Sequence, residues 1–482
     1  MGVLSHLEPK PVFDYFEKLC AVPHGSGNTK LISDLCASFA RELGLKYRQE
    51  DCNNLIIWKD ASAGYENAAP VILQGHMDMV CAQTEDCTKD MSREGLDLRT
   101  DGTYVWADKT SLGGDDCIAV ATALAFLADD SLPHPPLEVV FTIDEETGMD
   151  GAAALDCSDL KGRLLLNLDS EEEGVFTVAC AGGLRADCFL PAARQALGGE
   201  SCFSVSLSGL QGGHSGAEID KGRANAAILL GRALAAIGKI VPLRIVSAES
   251  GLKDNAIPAS ARAVLAVEPA KLPAVQTRVS GLEAAFRAEH TVSDPGLTLT
   301  VRSGNPAPSA LTEAAGKTVV QFLQLVPNGI VSMSMDIPGL VQTSSNLGIF
   351  HVADGLLVAR ASVRSSVASE KEMLLERFAT LCALLGASME ITGDYPAWEY
   401  KRDSALRDTM VRVFTEQYGH APKIEAIHAG LECGLFSGKL PGLDCVSFGP
   451  DLLEIHTPRE KMSIPSVQRT WKLLRGVLEA LA

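Results

Sequence analysis

Apolar and polar positions along this chain fall into two textures. Up to about residue 187, stretches with helical period alternate with short, unbroken apolar runs. Pro11–Cys20 and Lys30–Leu43 carry helical periodicity, the second with Leu31, Leu35, Phe39 and Leu43 at four-residue spacing. Val71-Ile72-Leu73, Leu137–Ile143 after the breaker His134-Pro135-Pro136, and Leu164-Leu165-Leu166 read as strands buried on both faces, with a helical pattern over Cys117–Leu127 between them. That alternation predicts an α/β arrangement, a sheet covered by helices, in which the loops after the strands carry the chemistry. From about Asp187 the texture changes. Phe203, Val205 and Leu207 alternate with serines over Ser201–Gly209, as in a half-solvated antiparallel strand. An amphipathic helix over Ala224–Ile237 and strands over Ala261–Val267, Leu297–Val301 and Leu356–Val363 follow, until the pattern breaks near Asp394–Trp398 and a short α/β tail runs to Ala482. The expectation is two domains, residues 188–394 inserted between 1–187 and 395–482.

Composition narrows the classes. The 482 residues are 46% hydrophobic and 21% charged, a balance that excludes disorder or collagen-like repetition as the main state. Lys plus Arg number 42 against 61 Asp plus Glu, a net charge of −19 that repels a phosphate backbone, so nucleic acid is excluded as a partner. No run of about 18 apolar residues offers a membrane span, and the first residues lack the basic start and apolar core of a secretory signal. The 13 cysteines include no C-x-x-C pair, which points to reduced thiols and a cytoplasmic location.

Candidate chemistry follows the apolar runs. Gln74-Gly75-His76-Met77-Asp78 comes directly after the first; in an extended segment His76 and Asp78 point to one side. Imidazole suits zinc, and a neighbouring carboxylate can fix its tautomer and orientation. In Ser111-Leu112-Gly113-Gly114-Asp115-Asp116-Cys117 the glycines let the backbone turn sharply and push a carboxylate forward. Phe141-Thr142-Ile143 runs into Asp144-Glu145-Glu146-Thr147-Gly148, and consecutive glutamates after a buried strand cannot both enter a core without a cation. One can ligate a metal while the other takes a proton from metal-bound water. Leu166-Asn167-Leu168-Asp169 and Glu454-Ile455-His456-Thr457-Pro458 add a further carboxylate and a further imidazole. Singly, each motif fits a hydrogen-bonded strand-end histidine or a helix-capping acid equally well. As an ordered set at strand ends they supply two imidazoles and three carboxylates for metals, with one Asp and one Glu left for orientation and proton work. A carboxylate shared by two zinc ions would keep them about 3.5–4 Å apart.

Together, Gly75-His76-Met77-Asp78, Gly114-Asp115, Glu145-Glu146-Thr147-Gly148 and Asp169 resemble the M20 metallopeptidase family. Leu168-Asp169-Ser170-Glu171-Glu172, Cys180-Ala181-Gly182-Gly183, Gly209–Gly216, Asn255-Ala256-Ile257-Pro258 and His428–Gly434 narrow the resemblance to its aminoacyl-histidine (Xaa-His, cytosol non-specific) dipeptidases, over essentially the whole chain. The resemblance implies a discontinuous α/β catalytic domain with a mixed sheet plus an inserted α+β lid domain, often the site of pairing into a homodimer. It implies His76 and Asp169 on one zinc, Glu146 and His456 on the other, Asp115 bridging, Asp78 orienting His76, and Glu145 as general base. A hydroxide held between the zinc ions would attack the peptide bond of an unblocked dipeptide, Xaa-His included. The ligand set also admits manganese or cobalt. His214 becomes the oxyanion donor by the same resemblance. Arg364 can clamp the substrate's carboxylate, or be a solvated strand-end arginine; Asn255 can assist it, or sit in a plain turn. Glu432 or Asp169 can meet the substrate's ammonium group. Two features depart from the family's pattern: Asp116 stands where an Asn is expected, and the Ile455-His456-Thr457-Pro458 context differs slightly from His-Ser-Pro.

The same residues admit other readings. An N-acyl amino-acid amidohydrolase or a tripeptidase would use the same scaffold, and a peptide-binding protein without catalysis is opposed by Glu145 beside a full ligand set. Glu171–Glu173 read as a solvated acidic turn, because an EF-hand's alternating ligands are missing. Cys117 and Cys433 read as packed thiols.

Overall fold

The structure, a computed structural model, describes residues 2–481. The chain forms two compact units: one runs through Cys180 and includes Tyr400–Ala426 and everything from Leu431 onward, the other comprises Ala181–Glu399 and Ile427–Gly430.

The first unit is built on an eight-stranded mixed sheet. At its centre Val71–His76 runs parallel to Leu137–Thr142 on one side and to Leu164–Asn167 on the other. Every residue of the first two strands is buried, which is why their apolar residues come in runs without alternation, Val71–Leu73 and Val139–Phe141, even though buried Gln74 and Glu138 lie in the same strands. Beyond Leu137–Thr142, the strands Leu55–Lys59 and Lys46–Gln49 continue antiparallel. On the far side Asp444–Ser447, from the C-terminal segment, pairs parallel with Leu164–Asn167. The helix Gly114–Ala128 is buried from Gly114 to Leu127 and packs against the helix Lys10–Cys20. Its interior alternates alanines with Ile118, Leu124 and Phe126, a composition that suits burial all round.

The four-residue spacing in the second helix marks a helix without marking its buried face. The helix Lys30–Glu42 buries Ile32, Cys36, Phe39 and Ala40, while Leu31 is 53% exposed. A strict four-residue step advances about 40° past a full turn each time, so Leu31, Leu35, Phe39 and Leu43 drift over about 120° of the helix surface, and Leu31 ends up outside the buried stripe.

The second unit holds a nine-stranded sheet whose strands all pair antiparallel. The helices Ala226–Ile237, Leu272–Glu289, Glu313–Leu325 and Ala368–Leu385 share one apolar core with it, with Phe203, Leu230, Phe286, Phe322, Phe350 and Phe378 among its members. Each fully buried phenylalanine contributes ~1.5–3 kcal/mol relative to exposure. Phe203, Val205 and Leu207 point into this core as the alternation predicts, but Ser204 on the other face is buried too. The strand Ser201–Ser208 is interior, paired with Ala261–Val267 on one side and Thr298–Ser303 on the other, so its serines are less solvated than expected. Among the described residues no helix is long and apolar enough to cross a membrane.

Candidate metal centre

The C-terminal ends of three adjacent strands in the first unit carry most of the candidate ligands. His76 ends Val71–His76, and Asp169 lies two residues beyond Leu164–Asn167. Glu145 and Glu146 open the helical turn Glu145–Gly148 that follows Leu137–Thr142. Asp144 and Met149, on either side of this turn, both have positive φ, 55° and 61°, strain of the kind that concentrates at functional sites. Asp115 is presented by the turn at Gly113, whose φ of 66° is left-handed and whose missing Cβ leaves room for Met79 Sδ and His24 Nε2. His456 arrives from an exposed C-terminal loop with a φ of 60°.

These side chains converge. Asp115 Oδ1 lies 3.2 Å from His76 Nε2 and Asp115 Oδ2 lies 3.1 Å from His456 Nε2, so the two oxygens of one carboxylate face two different imidazoles. Each imidazole faces one further carboxylate: Asp169 Oδ1 at 3.6 Å from His76 Nε2, and Glu146 Oε1 at 2.8 Å from His456 Nε2. Ligand atoms of His76, Asp115 and Glu146 lie within 4.8 Å of one another, and so do those of His76, Asp116 and Asp169. Among the described residues no lysine or arginine forms an ion pair with Asp115, Glu146 or Asp169. Two imidazoles and this many carboxylates without a basic counter-ion form a donor set that fits divalent cations.

The far side of His76 is equally defined. Its Nδ1 lies 3.0 Å from the Asp78 carbonyl oxygen and 3.4 Å from the Asp78 carboxylate, which holds Nδ1 as the protonated nitrogen and turns Nε2 toward Asp115 and Asp169. Asp78, fully buried, also accepts from Ser26 Oγ at 2.7 Å and from the backbone N–H of Glu145 at 3.1 Å. Asp116 accepts the backbone N–H of His76 at 3.2 Å, and a Cβ at Gly75 would meet its Oδ2 at 2.6 Å, so only glycine permits that approach.

Burial and mutual repulsion shape the charges. Burial pulls the His76 imidazole down, but bonding to Asp115, Asp169 and Asp78 outweighs it and holds His76 well above the usual histidine value. Bonds to Asp115 and Glu146 raise His456 to about 10. Burial pushes Asp115 up, yet its two imidazole partners leave it well below the usual carboxylate range. Glu145 goes the other way: burial foremost, then the carboxylates of Asp169, Glu432 and Glu146, push it up to about 9 against the pull of His76. A cation bound nearby would draw Glu145 back down toward neutral pH.

His214, Asn255 and Arg364 belong to the second unit. The short ladder Gly213–His214 with Ala256–Ile257 sets His214 opposite Ala256, next to the exposed Asn255. His214 Nδ1 accepts from the N–H groups of Gly216 and Ala217, at 3.2 and 3.0 Å, so the neutral ring carries its hydrogen on Nε2. Burial, with the Arg364 charge adding, lowers His214 and favours that neutral form. Arg364 Nη1 donates to the Tyr395 hydroxyl at 3.2 Å, and its buried Nε has no acceptor. His428, in the same unit, bonds Ser344 Oγ through Nε2 at 2.7 Å.

Several participants were not singled out in the sequence. Ser26 holds Asp78. Glu460, buried, accepts the N–H groups of Leu112, Gly113 and Gly114 and so fixes the turn that presents Asp115. Glu432 is not available to a substrate as it stands: it has no exposed surface, and its Oε2 is taken by Gln74 and Thr142. The acidic turn is solvated only at Glu171 and Glu172, because Glu173 pairs with Arg469 and Tyr418. Cys117 and Cys433 are buried, and burial pushes both thiols well up.

Comparison with known proteins places the chain in a family. Residues 72–480 match the model of Peptidase family M20/M25/M40, and the chain belongs to that family. It is a metallopeptidase. The chain is 36% identical to the cytosol non-specific dipeptidase of Escherichia coli over 482 residues, 100% of this chain and 99% of the relative. Its fold matches the crystal structure of aminoacylhistidine dipeptidase from Vibrio alginolyticus with a TM-score of 0.94 at 34% identity, covering 99% and 98% of the two chains. The aminopeptidase PepT of Bacillus cereus shares the fold at 15% identity and a TM-score of 0.59, covering 98% of this chain and 99% of that one.

Proposed function

We propose that this protein is a di-zinc dipeptidase that hydrolyses unblocked dipeptides, Xaa-His among them, in the cytoplasm. The observation that carries the reading is Asp115, whose two oxygens face His76 and His456 separately. His76 and Asp169 would hold one cation, Glu146 and His456 the other, with Asp115 shared; the donors also suit manganese or cobalt. When bound, the pair of cations supplies Lewis acidity toward the scissile carbonyl and makes water acidic near neutral pH. Glu145 takes the proton of the attacking water and hands one to the leaving amine. Asp78 keeps His76 in its tautomer and, through the backbone N–H of Glu145, anchors the turn that carries the base. His214, with its hydrogen on Nε2, donates to the developing oxyanion. Arg364 and Asn255 grip the carboxylate end of the substrate, which makes the enzyme measure length. The names of the E. coli and Vibrio relatives support a dipeptide substrate and, for the first, the cytosol. Pairing into a homodimer through the second unit is part of the same proposal, read out by sedimentation.

The test is metal content together with a panel of dipeptides, tripeptides and N-acyl amino acids on one preparation. Two equivalents of metal and a preference for free dipeptides are expected. Preference for acylated substrates would overturn the reading. Glu145→Gln should retain metal and lower kcat by at least ~100-fold.

A further inference from the structure

Behind the candidate ligands lies a second set of polar side chains that the proposed reaction does not use. Gln74, Thr142, Asn167 and Glu432 are all buried, with exposures between 0% and 1%. They sit on the three adjacent strands that end in the ligands and on the first turn of the helix Glu432–Lys439. Gln74 and Asn167 are register partners in the parallel ladder, and Thr142 is the partner of His76. With side chains alternating at period two, Gln74 shares a face with His76 and Asn167 shares one with Asp169, each two residues before the ligand.

The four are bonded in a chain. Asn167 Nδ2 donates to Gln74 Oε1, and Gln74 Nε2 donates to Glu432 Oε2 and, at 3.2 Å, to Thr142 Oγ1. The Thr142 hydroxyl in turn donates to Glu432 Oε2 at 2.7 Å. A single oxygen of Glu432 therefore gathers the strand that ends in His76 and the strand that leads to Glu145, while Gln74 draws in the strand that leads to Asp169. Glu432 Oε1 and Asn167 Oδ1 are buried without a partner. Apolar side chains would pack these positions at lower desolvation cost, because a partly satisfied buried polar group is worse for stability than a hydrocarbon of the same shape. What such a set supplies in exchange is position, since metal ligands must be held to within a fraction of an ångström by locked neighbours.

We propose that Glu432 is a positioning residue: its Oε2, through Gln74 and Thr142 and with Asn167 behind them, ties the ends of the three ligand-bearing strands at the spacing the metal centre requires. The inference rests on the proposed metal centre, and it replaces direct contact between Glu432 and the substrate's ammonium group.

The test uses the full-length protein and zinc alone, with affinity read by competition against a chromophoric chelator. Glu432→Ala removes the gathering oxygen and should weaken zinc binding at least tenfold, with kcat falling and KM for a dipeptide staying within threefold. Glu432→Gln keeps one oxygen able to accept from both Gln74 and Thr142, and should hold zinc within threefold of the unsubstituted protein. Thr142→Val deletes one strand of the tie and should weaken zinc binding at least threefold, while Thr142→Ser, which keeps the hydroxyl, restores it. The Thr142 pair decides the matter if Glu432→Ala does not fold. Unchanged zinc affinity in Glu432→Ala and Thr142→Val overturns the proposal. So does a tenfold or larger rise in KM in both Glu432 variants at unchanged zinc affinity, the signature of a direct ammonium contact. Failure of the unsubstituted protein to bind zinc would instead overturn the metal reading itself, and is seen before any variant is made.

Discussion

Glu460 offers the most demanding check on how the Asp115 turn is built. Its carboxylate is 2% exposed and accepts the N–H groups of Leu112, Gly113 and Gly114 at 2.8, 3.2 and 2.8 Å. Burial pushes its pKa up, the three N–H bonds pull it back, and burial wins, so the carboxyl lies above its ordinary value. Its charge is therefore not what favours it there. Its contribution is to satisfy three donors at a turn closed off from water. Glu460→Ala would orphan all three, at ~1–3 kcal/mol each. Water entering the vacated space offsets part of this, which leaves a net loss of about 3–5 kcal/mol. Glu460→Gln keeps one accepting oxygen but turns an amide N–H toward a backbone donor, for about 1–3 kcal/mol. Trp58, Trp106 and Trp471 lie in the first unit and Trp398 in the second, so urea unfolding followed by tryptophan fluorescence weights the relevant unit. A Glu460→Ala midpoint equivalent to less than about 0.5 kcal/mol of lost stability would refute the reasoning, since ordinary surface substitutions do no more.

Three further outcomes are expected. Replacing His214 by Phe removes the Nε2 donor and should lower kcat by ~100–1,000-fold with a smaller change in KM, measured by steady-state kinetics on one dipeptide. Burial, with the Arg364 charge adding, lowers His428 to about 4, so below the unfolded value near 6.5 the unfolded chain takes up a proton that the folded chain refuses. Stability is then full above about pH 6.5 and falls as pH drops toward 4, by at most ~1.4 kcal/mol per pH unit; His428→Asn should flatten that part of the urea-unfolding profile, and an unchanged slope would count against it. Chelation should destabilise the first unit, because a cation held at 1,000 times its Kd adds ~4 kcal/mol to the folded state; equal unfolding midpoints with zinc and with chelator would contradict the donor set described.

What the sequence makes legible follows from which forces act locally. Val71–His76, Leu137–Thr142 and Leu164–Asn167 are readable because burial on both faces leaves mostly apolar residues in a strand, with Gln74, Glu138 and Asn167 as the polar exceptions. Their charged ends were readable for the complementary reason: His76, Glu145, Glu146 and Asp169 break an apolar run where no core would accept them. The buried face of Lys30–Glu42 is not legible in the sequence, because exposed Leu31 is as apolar as buried Ile32 and only the packed neighbours distinguish them. Partners brought in from far along the chain left no local trace. Glu432 meets Gln74 across 358 residues, and Glu460 meets Leu112 across 348.

The tie behind the ligands was half visible. Gln74 precedes His76 by two residues and Asn167 precedes Asp169 by two, each an amide inside an otherwise apolar strand. Period two places each amide on its ligand's face, one layer deeper, where an uncharged donor–acceptor pair is the least costly group that can bond sideways to a neighbouring strand. A lone amide there is a liability, but two on adjacent parallel strands in register can satisfy one another, as Asn167 and Gln74 do. What the repetition could not reveal is the third party. An amide pair leaves Gln74 Nε2 still seeking an acceptor, and a buried acceptor strong enough to gather that N–H and the Thr142 hydroxyl at once is best supplied by a carboxylate. The spacing of amides before ligands thus implies an acid from elsewhere in the chain, and the fold delivers it as Glu432 at the start of a helix, where the N-terminal dipole favours a negative charge.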